Sequence, residues 1–274
     1  MKEKKNNALI FGLWALLILI VFNISLSRSN SNNSRTSRQE SYDIKATYLV
    51  RAGIMKMLVE LAKDTNSYDS LNEDWNRNTD NPKKLILKDD TIFYGASDES
   101  GRLNLNSATL KEEDLLGLGI DEPSAKKILE YKNKKGAKGF EFIEELFLVD
   151  GVTRKDFSEI KDWVTIYRGT EPRVNINTAS RKVLEALVGR KELVQKILNY
   201  RKGLDREEFT DDDGFKDIGD INAIPGLDPD LFVVQSTVFR IWSQFPLSED
   251  KGMTRGAEAI IGKRSGKIYH WKEY

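Results

Sequence analysis

Leu103-Asn104-Leu105-Asn106-Ser107-Ala108 returns further along the chain as Val174-Asn175-Ile176-Asn177-Thr178-Ala179. A helical run follows each copy, ending in Lys127-Ile128-Leu129-Glu130-Tyr131 or Lys196-Ile197-Leu198-Asn199-Tyr200. A third match closes each unit, because Gly139-Phe140-Glu141-Phe142-Ile143-Glu144-Glu145-Leu146 aligns without a gap on Gly214-Phe215-Lys216-Asp217-Ile218-Gly219-Asp220-Ile221. Three matches in one order mark a duplicated supersecondary unit. The reading predicts an all-α block over 103–235, with repeats over about 103–170 and 174–235.

The units resemble the helix-hairpin-helix family, in which short helices pair across glycine turns. Leu116-Gly117-Leu118-Gly119-Ile120 is the fullest such turn, two glycines permitting the bend while apolar neighbours pack the paired helices. Asp150-Gly151-Val152, Val188-Gly189-Arg190 and Pro225-Gly226-Leu227 carry one glycine each. That family often holds a DNA phosphate on the turn amides, with nearby cations neutralising it. Charge argues against it here: 103–235 contains 21 Lys and Arg against 26 Asp and Glu, a net −5. Lys132, Lys134, Lys135 and Lys138 do cluster, yet Glu112, Glu113, Asp114, Asp121 and Glu122 surround the best turn.

The whole chain of 274 residues has zero formal charge, no cysteine and one histidine, His270. Disulfides, thiol nucleophiles and most transition-metal or triad constellations are thereby excluded. No phosphate-cradling glycine loop is present, and no carboxylate pair stands out as a catalytic dyad. The expectation is a protein that is not an enzyme.

Residues 1–7 carry Lys2, Lys4 and Lys5, and from Ala8 to Phe22 the chain is apolar throughout apart from Gly12. With Ile24 and Leu26, the run over 8–27 approaches the ~20 residues that span a bilayer as a helix. Lysines before it favour an N-terminus inside and a body outside the cytoplasm. A cleaved secretory signal is the alternative, but no small-x-small site follows Leu26. A polar neck over 28–42 follows. Helical periodicity then resumes, with Ile44, Tyr48, Ala52, Met55, Leu58 or Val59, and Ala62 expected on the packed face. Beyond a loop that holds Trp75, which is expected to plug a local core, Leu85–Lys88 and Thr91–Tyr94 predict a hairpin about Asp89-Asp90. Thr237–Ser243, Ala257–Lys263 and Gly266–Lys272 predict three further strands.

Four stretches resemble the minor pseudopilin K component of type II secretion, in the right order: Asn7 to Trp14, Tyr48 to Ile54, Asp98 to Asn106 and Ile268 to Glu273. The most specific is Asp98-Glu99-Ser100-Gly101-Arg102-Leu103-Asn104-Leu105-Asn106. The resemblance implies an α+β fold: an N-terminal transmembrane helix and a pilin-like antiparallel sheet from 43–102 and 236–274, with the two helix-hairpin-helix-like repeats inserted. It implies leader cleavage between Asn6 and Asn7, although Asn6 stands where those precursors have Gly. Phe11 occupies the fifth mature position, where most pilins carry Glu and the K component does not.

The implied role is structural: a subunit at the pseudopilus tip in the inner membrane, its C-terminal domain periplasmic, helping start assembly and protein export across the outer membrane. The implied partners are the I and J minor pseudopilins, the major pseudopilin, the inner-membrane assembly platform and exported substrates. The alternative from another class is a membrane-tethered DNA-uptake protein. No cofactor is required on either reading. Calcium is the one metal candidate, since K components hold it in the helical region and Asp211, Asp213, Asp217 and Asp220 lie in an acidic loop. Set on an EF-hand with Gly214 sixth, those four fall at the third, fifth, ninth and twelfth positions, but Phe209 takes the first. A solvated acidic loop is the other reading.

Overall fold

A computed structural model describes residues 2–169, 171–207, 210, 213–247 and 254–274, with the side chains of α1 described at 12–14, 16–27 and from 40 onward. The chain divides into two compact units, Met1–Leu49 and Val50–Tyr274. Helix α1 (Lys2–Lys63) supplies the described structure of the first. There Leu13, Trp14, Ile18 and Phe22 are exposed, each at about 60% of its surface. Among the described residues no helix is long and apolar enough to cross a membrane.

In the second unit, β1 (Lys83–Leu87) and β2 (Asp90–Asp98) form the expected hairpin, although the turn falls at Lys88-Asp89, one residue earlier. Leu87 pairs with Asp90, and Lys88 takes the left-handed φ of 56° that closes so tight a turn. The helical repeats follow, and the chain returns to the sheet through three later strands. The first repeat runs β3 (Leu103–Asn104), α2 (Glu112–Gly117), α3 (Glu122–Lys135), 3-10 helices at Gly136–Lys138 and Ile143–Leu148, α4 (Arg154–Ile160) and β4 (Val164–Thr165). The second runs β5 (Val174–Asn175), α5 (Arg181–Val188), α6 (Lys191–Arg201), 3-10 helices at Ile218–Ala223 and Pro229–Leu231, and β6 (Phe232–Val233). Each repeat closes on itself through a two-residue parallel pairing, β3 with β4 and β5 with β6. Gly119, Gly151, Gly189 and Gly226 all have φ between +67° and +93° and each turns the chain between two successive helical segments.

Gly117, expected to serve the bend, does something else. A Cβ there would stand 2.5 Å from Ala186 Cα, so its bare backbone lets α2 lie against α5 and joins the repeats. One continuous core runs through both repeats, from Leu103 to Val234.

Strands β7 (Val238–Pro246), β8 (Thr254–Gly262) and β9 (Ile268–Glu273) complete a five-stranded antiparallel sheet of order β1-β2-β7-β8-β9. Along β7, Phe239, Ile241, Ser243 and Phe245 are buried at alternate positions, the period of two that a half-covered strand requires. The mixed α+β class with an antiparallel sheet is as expected. Trp75 is buried and meets Phe239 edge to face at 5.0 Å, as expected of a local plug.

The packed face of α1 is not the expected one. Val50, Ile54, Met57 and Leu61 are buried, at the four, three, four spacing of a helical stripe, whereas Met55, Val59 and Ala62 are exposed and Ala52 and Leu58 half-buried. In the first unit, Ile44 and Tyr48 are exposed too. This part of α1 carries two apolar stripes, and Gly53 decides between them. A Cβ at Gly53 would fall 2.2 Å from Ser243 Oγ, so its absence lets the helix approach the sheet on that side.

Candidate functional site

The repeated words of the sequence meet in space. Asn106 Oδ1 accepts from Phe140 N at 2.7 Å, and its Nδ2 donates to Phe140 O at 2.9 Å and to Ile166 O at 3.1 Å. Asn177 repeats the clamp on Phe215, accepting from N at 2.7 Å and donating to O at 2.9 Å. Each side-chain amide thus pairs with a main chain as a neighbouring strand would. The glycine before each phenylalanine has positive φ, and a Cβ on Gly139 would meet Asn106 Oδ1 at 2.3 Å. Tyr131 packs on Phe140 with ring centroids 5.4 Å apart, and Tyr200 on Phe215 at 4.3 Å. All three matched segments are therefore one polar and aromatic clasp, built twice.

The first asparagine of each pair diverges. Asn104 Nδ2 donates to Gly169 O and Glu171 O, where the first repeat runs out into the link to the second. Asn175 Nδ2 instead reaches Asp69 O at 3.0 Å, Asp98 Oδ2 at 3.2 Å and Ser236 Oγ at 2.7 Å. Asp98 Oδ2 also accepts from Ser236 Oγ and Thr178 Oγ1, and Asp98 Oδ1 from Ser100 N. Asp69 accepts from Ser236 N at 2.7 Å and from Lys263 Nζ at 2.6 Å, and Lys263 also holds Asp64 at 2.8 Å. A buried polar seam therefore stitches the second repeat to the ends of β2, β7 and β8. Burial pushes Asp69 up to about 6 against the pull of Lys263 and Ser236, and burial likewise raises Asp98. Beside them Glu99 is fully buried, yet the Arg102 and Arg240 charges outweigh that burial and hold it below its usual value.

The seam was not visible in the sequence. Asp98 read as part of a turn, and nothing near Lys263 marked it as the partner of residues some 200 positions earlier. Its acids include the group among the described residues whose oxygens lie close enough for a cation: Asp64, Asp69 and Glu73. The Lys263 ammonium already stands on two of them, while Glu73 accepts from Ser70 N and Trp75 Nε1. No metal chemistry is assigned there.

The four acids of the calcium expectation are not gathered in the described part. Asp211 lies outside the described residues. Asp213 is buried and accepts from Thr210 N and Oγ1. Asp217 and Asp220 cap the 3-10 helix at Ile218 reciprocally, Asp217 Oδ1 accepting from Asp220 N, and Asp220 Oδ2 accepting from Lys216 N and Asp217 N. The three described acids accept from groups of their own loop, and among the described residues they do not form a cluster close enough for a shared ion. Asn6 and Asn7 lie within α1, with side chains outside the described set.

Beside the second clasp lies a cavity of about 800 Å³. Among the described residues, Arg181, Arg201, Lys202 and Arg206 line it, with the carboxylate of Asp213. Arg201 Nη1 donates to Ala179 O at 2.8 Å, while its Nε and Nη2, closed off from solvent, have no partner among the described residues.

Residues 174–241, the second repeat through the middle of β7, match the family described as type II secretion system (T2SS), protein K. No curated protein sequence matches the chain. In fold the chain is similar to a chain of the crystal structure of the GspK-GspI-GspJ complex from the enterotoxigenic Escherichia coli type 2 secretion system. That match has a TM-score of 0.60 at 16% identity and covers 88% of this chain and 99% of the other. The resemblance read from the sequence therefore holds on two counts: this chain matches a chain of the GspK-GspI-GspJ complex in fold over most of its length, and the protein K family in sequence over residues 174–241.

Proposed function

We propose that this chain is a minor pseudopilin K of type II secretion that assembles with the I and J minor pseudopilins. The observation that carries this reading is the fold match, over 88% of the chain, to a chain of the GspK-GspI-GspJ complex. On this reading the apolar run from Ala8 anchors the chain in the inner membrane, with the N-terminus cytoplasmic and the folded body periplasmic. The exposed Leu13, Trp14, Ile18 and Phe22 support that anchor, because such side chains need lipid or a partner helix around them. Met55 and Val59, apolar and exposed on the side of α1 turned away from the sheet, support packing against a partner. The proposed role is structural: the subunit caps the pseudopilus tip, helps start its assembly on the inner-membrane platform beneath the major pseudopilin, and supports export of proteins that it contacts. Helix-hairpin-helix character is part of this proposal, carried by the four left-handed glycine turns.

The test is co-elution of the full chain, in detergent, with I and J minor pseudopilins from the same source, while labelled duplex and single-stranded DNA compete. Stable elution with both partners and no retained DNA is expected. Salt-sensitive DNA binding without those partners would overturn the reading in favour of DNA uptake.

A further inference from the structure

The duplication supplies an internal control for the cavity. Lys132 and Arg201 hold the same place in the two repeats, each one residue after the tyrosine that closes the helical run. Lys132 Nζ donates to Ser107 O and Arg201 Nη1 to Ala179 O, so both cations tie down a carbonyl just after the Asn-x-Asn motif. A lysine performs that duty in full. Arginine at 201 brings further donors, and Nε and Nη2 are the ones left without a partner. The cavity of about 800 Å³ lies at this copy, with Arg181, Lys202 and Arg206 around it.

Two buried donors without acceptors are costly to the fold, and an incoming anion would relieve that cost. Both donors lie behind the cavity wall, so an anion that takes them up does so with the guanidinium turned out of that wall. Burial pushes Arg201 down to about 9, which leaves it charged at neutral pH. The cavity is far larger than one phosphate or acetate requires and falls within the range of ligand pockets. Its walls also offer Leu71 and Leu198 for apolar groups, and side-chain amides at Asn72 and Asn199 of the kind that match peptide bonds. Nucleic acid fits poorly beside a repeat block of net charge −5.

We propose that this cavity binds a carboxylate carried on an acidic peptide segment, with Arg201 as the residue that fixes the charge. The inference does not depend on assembly with the I and J components. The full chain in detergent micelles is titrated into a fluorescent peptide of alternating Gly and Glu, read by anisotropy. Arg201→Lys copies the first repeat, keeps a donor for Ala179 and removes the extra ones. Saturable binding is expected for the wild type, with a loss of roughly tenfold or more in Arg201→Lys, the scale of one charge-assisted hydrogen bond. A Gly-Gln peptide and inorganic phosphate, each at the concentration of the acidic peptide, are expected not to compete.

Should Arg201→Lys melt early, Arg181→Gln at the exposed rim replaces it, with a severalfold loss expected and an unchanged melt. Absence of saturable binding overturns the proposal, as does undiminished affinity in the folded variant. Competition by phosphate as strong as by peptide overturns it too, since the pocket would then hold an adventitious ion only.

Discussion

Gly117 and Ala186 stand closer than any residue pair with a side chain at 117 would allow. A Cβ at Gly117 would lie 2.5 Å from Ala186 Cα and 2.8 Å from Ala186 Cβ, so the two repeats meet backbone to backbone through α2 and α5. Alanine at 117 would gain up to about 1 kcal/mol of helix propensity in an open helix. Here it must instead push α5 away, and overpacking of this kind costs about 1–3 kcal/mol. Gly117→Ala is therefore expected to lower the urea unfolding midpoint, despite its favourable intrinsic propensity. A raised midpoint would show that the helices part without cost.

The asparagine clasp makes a second expectation. Asn177 is buried and bonds both polar atoms of the Phe215 peptide unit. Asn177→Asp keeps the shape but replaces the donating Nδ2 by an oxygen facing the Phe215 carbonyl, and buries a charge. Asn177→Ala leaves the Phe215 N–H and C=O unpaired, at a cost of about 1–3 kcal/mol for each buried group. Both variants should unfold at lower urea than the wild type, Asp at neutral pH at least as early as Ala. Near-native stability of Asn177→Asp would remove the clasp from the account of the repeat.

The polar seam gives stability a pH dependence with a definite sign. Asp69 has its folded value raised to about 6 from an ordinary 3.8, so the folded chain holds the proton more tightly than the unfolded one. Its contribution is fully present below about pH 4 and is lost as pH rises through about 6. Asp98, raised as well, acts in the same sense, whereas Glu99, held low, loses its contribution as pH falls through its folded value. Lys263, Asp64, Glu73, Asp98 and Ser236 are the groups facing Asp69. Chemical denaturation at pH 7, 6 and 5 should show Asp69 favouring the folded state progressively on acidification. In Asp69→Asn that part of the slope should vanish, and an unaltered slope would remove Asp69 as its source.

The repeats were legible in the sequence because the clasp needs the same residue types twice: an asparagine amide, a tyrosine and a Gly-Phe step. The sheet strands were legible because burial on one face imposes alternation, as in Phe239, Ile241 and Phe245. The face of α1 was misread because two apolar stripes compete there, and the larger side chains of Ile44, Tyr48 and Met55 drew the reading to the exposed one. Gly53 was the deciding residue, and a glycine in a helix gives no sign of what it approaches. The seam was hidden for a related reason. Asp69, Asp98, Asn175 and Lys263 are far apart in the chain, and ordinary polar residues become a network only when the fold brings them together. The Asp217 and Asp220 spacing had two readings, metal ligands or a solvated acidic loop, and the described geometry instead uses both acids to cap a 3-10 helix.

Glu99 offers the sharpest test of how the end of β2 is held to β7. Its side chain is fully buried; Arg240 Nε donates to it at 2.6 Å, Arg102 stands at 3.5 Å, and Arg240 also bonds Glu258 at 2.6 Å. Removing Arg240 leaves a carboxylate inside the protein with a single, more distant counter-charge, and breaking a buried pair in this way costs about 3–5 kcal/mol. Arg240→Met keeps the apolar stem's volume while deleting the charge, so the loss it causes reports the stranded Glu99 rather than lost packing. Glu99→Gln added to Arg240→Met removes the stranded charge and should restore a substantial part of that loss. Urea unfolding of the two single variants and the double variant closes the cycle. If the two effects simply add, Glu99 and Arg240 are energetically independent, and the buried pair contributes nothing to the joint between β2 and β7.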